Sequence, residues 1–155
     1  ANDGGRGRAE AVAEIAARWP DHAAVMDRYF DRFHLTIREK VEGSWEVLRD
    51  LRAAGHRVWG LTNFSADTWP EALRLHPDLG EAFEGVVVSG HEGVVKPERE
   101  IFDLLCARAG VAPETCFFID DSAANVAGAR AAGWAAHRFA GAGRLRAELC
   151  ERGLL

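Results

Sequence analysis

The chain has 155 residues, of which 48% are hydrophobic and 28% charged, and a formal net charge of −5. This length suits one domain, or one domain with a small appendage, and the apolar fraction is high enough to exclude a disordered chain. The acidic balance lacks the clustered basic face of a nucleic-acid-binding protein, and no apolar stretch approaches the ~20 residues of a membrane span.

The first forty residues predict helices with no strand between them. After a glycine-rich start, apolar residues recur at helical spacing from Val12 to Trp19, and Pro20 ends the run. Asp21 is suited to cap a second helix. The apolar face of that helix would consist of Val25, Met26, Tyr29, Phe30 and Phe33. We therefore expect residues 1–41 to form a small helical subdomain and residues 42–155 to form the main domain.

From residue 42 onward, short apolar runs alternate with helical patterns. The runs predict strands at 58–61, 86–88, 116–119 and 134–139. The helical patterns cover residues 44–54, 66–75, 97–109 and 123–132, with a terminal helix through Leu145 and Leu149. Pro97 suits the first position of its helix, and Gly110 suits the end. This alternation predicts an α/β fold with a parallel sheet covered by helices on both faces.

Polar side chains follow three of these predicted strands. Thr62 and Asn63 follow the first, Lys96 lies a few residues past the second, and Asp120 and Asp121 follow the third directly. In parallel sheets of this kind, ligands bind beyond the carboxyl ends of the strands. These five residues are therefore the candidate site.

Each candidate also has a purely structural interpretation. Thr62 and Asn63 are typical turn residues, Lys96 would serve as an exposed lysine, and Asp121 is a common helix N-cap. Together, however, they supply a hydroxyl and an amide to donate to a phosphate and an ammonium to neutralise it. Two adjacent carboxylates repel each other, and a hard divalent cation relieves that repulsion. This combination is typical of a phosphoryl-transfer site.

Residues 61–63, 93–97 and 117–125 resemble motifs two, three and four of the haloacid dehalogenase superfamily, in order and at suitable spacing. The resemblance covers about residues 42–139. It is nearest to the branch with a helical cap inserted before motif two, so the helices between residues 8 and 40 would be the end of that cap. The implied fold is a three-layer Rossmann-like parallel sheet with the remainder of a small helical cap.

The resemblance implies a role for each candidate. Thr62 would bind a phosphoryl oxygen with help from Asn63, and Lys96 would steady the nucleophile and the transferring phosphoryl group. Asp120 and Asp121 would bind magnesium (Mg2+), directly or through water. The implied activity is a magnesium-dependent cytoplasmic phosphatase that hydrolyses a small phosphorylated metabolite through an aspartyl-phosphate intermediate.

Several neighbouring residues are secondary candidates. Asn125 stands where many relatives carry another acid. Phe64, Ser65 and Trp69 follow motif two and are candidates for the substrate pocket, although Trp69 is more typical of a core or cap contact. His91 is the one histidine beside the predicted site. The three cysteines, Cys106, Cys116 and Cys150, show neither disulfide nor zinc spacing and fit a reducing compartment.

Motif one, a buried strand that ends in Asp-x-Asp, is not found before Thr62. Asp3 lies in the glycine-rich start without a preceding strand, so we do not expect it to be the nucleophile. In the family this strand lies in the middle of the sheet, and its loss would leave two strand edges unpaired. We therefore expect the natural chain to begin some tens of residues earlier, and we expect the present chain alone to be inactive.

Two alternatives remain open. A 2-haloacid dehalogenase would use the same nucleophilic aspartate without magnesium, but the pair Asp120 and Asp121 favours a phosphatase. A non-catalytic binding protein would be favoured if the chain truly starts at Ala1, but Lys96 together with the acidic pair disfavours it. The sequence predicts neither the substrate nor the oligomeric state.

Overall fold

The computed structural model describes residues 4–155, so Asp3 lies outside the described residues. In this range the α-helices are α1 (Arg8–Arg18), α2 (Ala23–Asp31), α3 (Ser44–Ala53), α4 (Trp69–Leu75), α5 (Leu79–Ala82), α6 (Ser89–Glu92), α7 (Arg99–Ala109), α8 (Ala123–Ala131) and α9 (Ala142–Glu151). The strands are β1 (Gly60–Thr62), β2 (Val86–Val88), β3 (Phe117–Asp120) and β4 (Ala135–Arg138). Short 3-10 turns lie at Pro20–His22, Phe33–Thr36 and Pro113–Thr115. No helix among the described residues is both long enough and apolar enough to cross a membrane.

All four predicted strands form, but three helix starts differ from the prediction. Helix α4 begins at Trp69 rather than at residue 66, because Ser65 and Thr68 form a hydrogen-bonded turn with hydroxyl oxygens 2.9 Å apart. Pro97 is not a first helical residue, since α7 begins at Arg99. Asp21 lies in a 3-10 turn and makes no side-chain cap, so it does not cap α2. The short helices α5 and α6 were not predicted.

The strands form two separate pairs rather than one continuous sheet. Strand β1 pairs with β2, and β3 pairs with β4. The second pair is parallel, with a register that runs from Phe117 opposite Ala135 to Asp120 opposite Arg138. Strands β3 and β4 with the connecting helix α8 form a parallel βαβ unit. Ligands in such folds bind beyond the carboxyl ends of the strands, which is where β3 ends.

The chain divides into two compact units. Unit one comprises residues 4–39, Leu61–Glu81 and Val87–Val95, and unit two comprises Lys40–Gly60, Ala82–Val86 and Lys96–Leu155. Unit two thus contains α7, β3, α8, β4 and α9. The assignment of residues 1–41 to a cap domain stays a prediction.

Unit one contains α1 and α2, which pack on each other but bury few side chains. Ala11 is the one fully buried residue described in these two helices. Four large apolar residues of this unit are exposed, namely Trp19, Val25, Tyr29 and Leu35. Both helices have an apolar face that is only partly covered within the unit.

Charged and aromatic contacts hold these helices within unit one. The Arg8 guanidinium on α1 forms ion pairs with Asp27 and Asp31 on α2, at 2.6 and 2.8 Å, and its backbone N–H donates to Asp67. The Phe64 ring makes edge-to-face contact with Phe33, and their centroids are 5.4 Å apart. These contacts link the helices to the loop that follows β1.

Unit two contains a more completely buried apolar core. Ile101 and Phe102 on α7 are wholly inaccessible to solvent. The Phe102 ring meets Phe118 of β3 and Trp134, each at a centroid distance of 5.4 Å. A second cluster joins α3 to α9 through Val47, Leu145 and Leu149. Complete burial of such a side chain stabilises a fold by about 1.5–3 kcal/mol, so this core fixes the elements that carry the site.

Candidate active site

A buried ion pair lies where β3 ends. The Lys96 ammonium donates to Asp120 Oδ2 over 2.7 Å, and the two side chains are only 9% and 8% exposed. The ammonium also lies 5.5 Å from the centroid of the Phe118 ring. Removing two charges from water costs free energy unless each is fully paired. The close contact shows that Lys96 is not the exposed surface lysine of the structural interpretation.

The second oxygen of Asp120 is held by the turn that follows it. Oδ1 accepts the backbone N–H of Ser122 at 2.9 Å and the side-chain amide of Asn125 at 3.0 Å. Ser122 is the N-cap of α8, and its hydroxyl accepts the backbone N–H of Asn125 at 3.4 Å. Asp120 is therefore fixed on one side by Lys96 and on the other by the start of α8.

These contacts set the charge of Asp120. Burial is the largest single influence on the pKa of Asp120 and acts to raise it. The hydrogen bond and positive charge of Lys96, joined by Ser122 and Asn125, outweigh burial and hold the pKa below its usual value. Asp120 is thus an anion at neutral pH, as the neighbouring ammonium requires.

Asp121 differs from Asp120 although the two are adjacent. It is exposed, and its backbone carbonyl accepts from the Arg138 guanidinium at 3.1 Å. Its carboxylate takes no part in the hydrogen bonds around Asp120. It is also not the N-cap of α8, because Ser122 has that role. Asp121 therefore presents carboxylate oxygens to solvent while Asp120 is engaged with protein groups.

The donor set fits a magnesium ion in part. Magnesium prefers hard oxygen ligands and often binds through one or two carboxylates, with water completing its shell. Asp121 offers such oxygens, whereas both oxygens of Asp120 already accept hydrogen bonds. Within residues 4–155, no group of three or more His, Cys, Asp or Glu side chains is placed to hold a metal ion. Of the predicted pair, Asp121 is the carboxylate open to such an ion, and magnesium binding stays a prediction.

Thr62 and Asn63 belong to unit one, where Thr62 is the last residue of β1. Both side chains are partly buried. Lys96 and Asp120 belong to unit two, so the convergence of the two sets on one phosphate stays a prediction.

A comparison with protein families identifies the family of the chain. Residues 5–133 match the model of the haloacid dehalogenase-like hydrolases, which covers most of the chain. The chain belongs to this family. Family membership confirms the resemblance carried by the three motifs and the α/β fold class that the resemblance implied.

Curated relatives of the chain in this family include phosphatases. The sesquiterpene phosphatase astK of Aspergillus oryzae is 29% identical over 87 residues, which are 56% of this chain and 44% of the relative. The glyceraldehyde 3-phosphate phosphatase of Pyrococcus abyssi is 31% identical over an alignment of 111 residues that covers 60% of this chain and 45% of the relative. The chain spans less than half the length of either protein.

Solved structures of the family share its fold. A haloacid dehalogenase family enzyme from Bacteroides thetaiotaomicron, in complex with magnesium and inorganic phosphate, is 28% identical with a TM-score of 0.56, covering 60% of this chain and 49% of that chain. An aspartate-to-alanine mutant of that enzyme superposes with a TM-score of 0.71 at 23% identity, covering 88% and 72%. A dehalogenase also superposes, with a TM-score of 0.64 at 22% identity, covering 76% and 51%.

The structure of this haloacid dehalogenase-like chain also shows backbone contacts that the sequence patterns did not single out. A Cβ atom at Gly128 of α8 would lie 2.6 Å from the Pro97 carbonyl oxygen, so α8 touches the backbone next to Lys96. In unit one, the backbone N–H of Gly90 and the Ser89 hydroxyl both donate to the Phe64 carbonyl. A glycine gives no sign in a single sequence that another backbone lies against it, so neither contact was predictable.

The secondary candidates are only partly suited to line a pocket. Ser65 is 2% exposed and bonded to Thr68, so it is structural. Trp69 packs its ring on Phe64, as expected of a core contact. His91 is exposed on α6.

A cavity of about 690 Å³ lies in unit one, and none of the predicted site residues lines it. Its walls are Gly7, Arg8, Ala9, Val12, Ala13, Asp27 and Asp67.

Proposed function

We propose that this chain is part of a magnesium-dependent phosphatase that hydrolyses a small phosphomonoester through an aspartyl-phosphate intermediate. The observation that carries the proposal is the buried contact of 2.7 Å between Lys96 and Asp120. An ammonium held at one position in a low-dielectric surrounding stabilises developing negative charge far more than a mobile exposed lysine does. The phosphatase names of the curated relatives support the same reaction.

In this proposal Lys96 is the catalytic cation. Its ammonium has three donors, and Asp120 occupies one of them at 2.7 Å. We assign the contact with a phosphoryl oxygen to this ammonium, whose position Asp120 fixes. Asp120 acts as the positioning residue, with Asn125 and Ser122 fixing its orientation.

Thr62 and Asn63 bind the phosphoryl group in the same proposal. The hydroxyl and the amide are neutral donors that suit phosphate oxygens. The Asp121 carboxylate is the direct magnesium ligand, and Asp120 contributes at most through water because its oxygens are engaged. A bound magnesium ion would neutralise the phosphate charge as the new bond forms.

The reaction also needs an aspartate nucleophile, which motif one carries in this family. We propose the activity for the protein in which this chain and that motif occur together. Its location in the cytoplasm is part of the proposal and is supported by three cysteines that are all free thiols. The partner is a small phosphorylated metabolite.

Phosphate release from a panel of small phosphomonoesters, with magnesium and with EDTA, tests the proposal in that protein. We expect turnover that EDTA abolishes and that Lys96→Met lowers by a factor of about 10²–10³ in kcat. Lys40 is the matched control, because it is the other lysine of the chain and it is exposed over the Trp45 ring. Lys40→Met should leave kcat unchanged.

Asp121→Asn gives an independent test, because it removes a proposed magnesium ligand and leaves the Lys96–Asp120 pair intact. We expect this variant to need a higher magnesium concentration for half-maximal activity.

Phosphatase activity that survives EDTA would contradict the proposal. Chloride release from a 2-haloacid without phosphatase activity would establish the dehalogenase alternative. Binding of magnesium and phosphate without turnover would establish a binding protein.

A further inference from the structure

Two cysteine sulfurs lie close together in unit two, apart from the Lys96–Asp120 pair. Cys106 is on α7 and Cys116 is the residue directly before β3, and their Sγ atoms are 3.9 Å apart. Both are free thiols. A disulfide requires about 2.05 Å between the sulfurs, so the two sulfurs must approach each other by roughly 2 Å to form one.

We propose that Cys106 and Cys116 form a dithiol site that is oxidised reversibly to an intramolecular disulfide by exchange with a small disulfide of the glutathione type. The two thiols differ in access, as such a reaction requires. Cys116 is partly exposed, whereas Cys106 is 7% exposed. Cys116 is therefore the residue that a small disulfide reaches first, and Cys106 is the resolving residue.

The exchange proceeds in two balanced steps. The Cys116 thiolate attacks one sulfur of the small disulfide, whose S–S bond breaks, and one thiolate leaves with the electron pair. The Cys106 thiol then loses its proton to solvent and attacks the Cys116 sulfur, which expels the second small thiolate. The protein loses two electrons and two protons, and the small disulfide is reduced to two thiols.

The surroundings of Cys106 make the second step the slower one. Burial, followed by Cys116 and Asp103, raises the pKa of the Cys106 thiol to about 11, against a lowering contribution from Trp134. The thiolate is the attacking species, so little of Cys106 is reactive at neutral pH. We expect a mixed disulfide on Cys116 to accumulate first and to resolve faster as the pH rises.

The disulfide would connect α7 to the start of β3. It closes the short loop between Cys106 and Cys116, which contains the 3-10 turn Pro113–Thr115. A cross-link over such a loop lowers the entropy of the unfolded chain. The melting temperature of the oxidised protein should therefore exceed that of the reduced protein by roughly 5 °C.

The test uses the purified chain with Cys150→Ser, because Cys150 is exposed and would react on its own. After treatment with oxidised glutathione, we expect a mass decrease of about 2 Da. Without reduction, trypsin should release residues 100–108 joined to residues 109–130. Dithiothreitol should reverse the cross-link and the rise in melting temperature.

Single variants in the same background separate the two roles. Cys106→Ser should stop at one glutathione adduct on Cys116, with no rise in melting temperature. Cys106→Ala is a second version in case serine is not tolerated at this buried position, and circular dichroism checks that each variant folds. The proposal is overturned if glutathione adducts form on the two cysteines without a cross-link, or if neither cysteine reacts while the protein stays folded.

Discussion

The two compact units are stabilised by different kinds of contact. In unit two, α7, β3 and the residues after α8 meet through rings that are almost fully buried, namely Phe102, Phe118 and Trp134. In unit one, α1 and α2 depend on the partly exposed ion pairs of Arg8 and leave Val25 and Tyr29 exposed. The first kind of contact is apolar and is not screened by salt, whereas the second is electrostatic and is screened.

This difference explains where the best-defined part of the candidate site lies. A buried ion pair is tolerated only where the surrounding structure holds both partners at hydrogen-bond distance. Lys96 and Asp120 have such surroundings in unit two, with Phe118 beside the ammonium and Ser122 and Asn125 behind the carboxylate. The packing of this unit therefore holds the Lys96 ammonium, the proposed catalytic cation, in one position.

The largest expected loss in the free energy of unfolding comes from a substitution in the core of unit two. Phe102→Ala removes a fully buried ring that contacts two others, and it should lower the free energy of unfolding by about 4 kcal/mol. Tyr29→Ala is the matched variant in unit one, where the ring is 46% exposed; it should cost about 1 kcal/mol or less. Urea denaturation measures both losses. Equal losses would show that the two units do not differ in packing as described.

The next largest loss in the free energy of unfolding should come from breaking the ion pair between Lys96 and Asp120. Asp120→Ala leaves the Lys96 ammonium buried without its carboxylate and should cost about 3 kcal/mol of unfolding free energy. The double variant Lys96→Met and Asp120→Ala should cost less than the sum of the two single variants, since it leaves no unpaired charge. Urea denaturation of all four proteins gives the coupling energy. Strict additivity would mean that the two charges do not stabilise each other.

The smallest effect is the dependence of stability on acid. The pKa of Asp120 is lower in the folded chain than in the unfolded one, so the folded state binds this proton less readily. Its contribution to stability is present above about pH 3.9 and is lost as the pH falls through the folded pKa. We call the fall in stability as the pH decreases below about 4 the acid limb. Asp120→Asn should therefore make this fall less steep.

Asp27→Asn is the control for this acid experiment. Asp27 is a half-exposed partner of Arg8 in unit one, and its replacement should leave most of the acid limb in place. Thermal melts between pH 2.5 and 6 measure the curves of the wild type and both variants. An acid limb that is flattened equally by the two substitutions would mean that Asp120 has no special share in it.

The sequence predicted most of the architecture because the local signals are strong. Apolar runs of strand length alternate with helical patterns, and glycines mark helix ends, such as Gly110, which has a left-handed φ of 65° at the end of α7. The errors arose where a local contact outweighed the pattern. The turn between Ser65 and Thr68 delays α4, and Glu98 rather than Pro97 precedes α7.

The sequence named the residues of the candidate site but not the contacts that they make. Adjacent carboxylates after a strand suggested a metal site, and the prediction assigned magnesium binding to both Asp120 and Asp121. The structure separates them, because Lys96 reaches Asp120 from 24 residues earlier in the chain. Asn125, which stands where many relatives carry another acid, is a hydrogen-bond donor to Asp120. Contacts between distant residues of this kind depend on tertiary geometry, which no local pattern records.

The close approach of Gly128 to Pro97 has a consequence for any redesign of this protein. With hydrogen as its side chain, residue 128 lets two backbones touch, and even one methyl group would act as a wedge between them. The wedge would move the segment that carries the ammonium away from the helix whose first turn orients the carboxylate. A residue with no side chain beyond hydrogen thus helps to set the distance between the Lys96 ammonium and the Asp120 carboxylate.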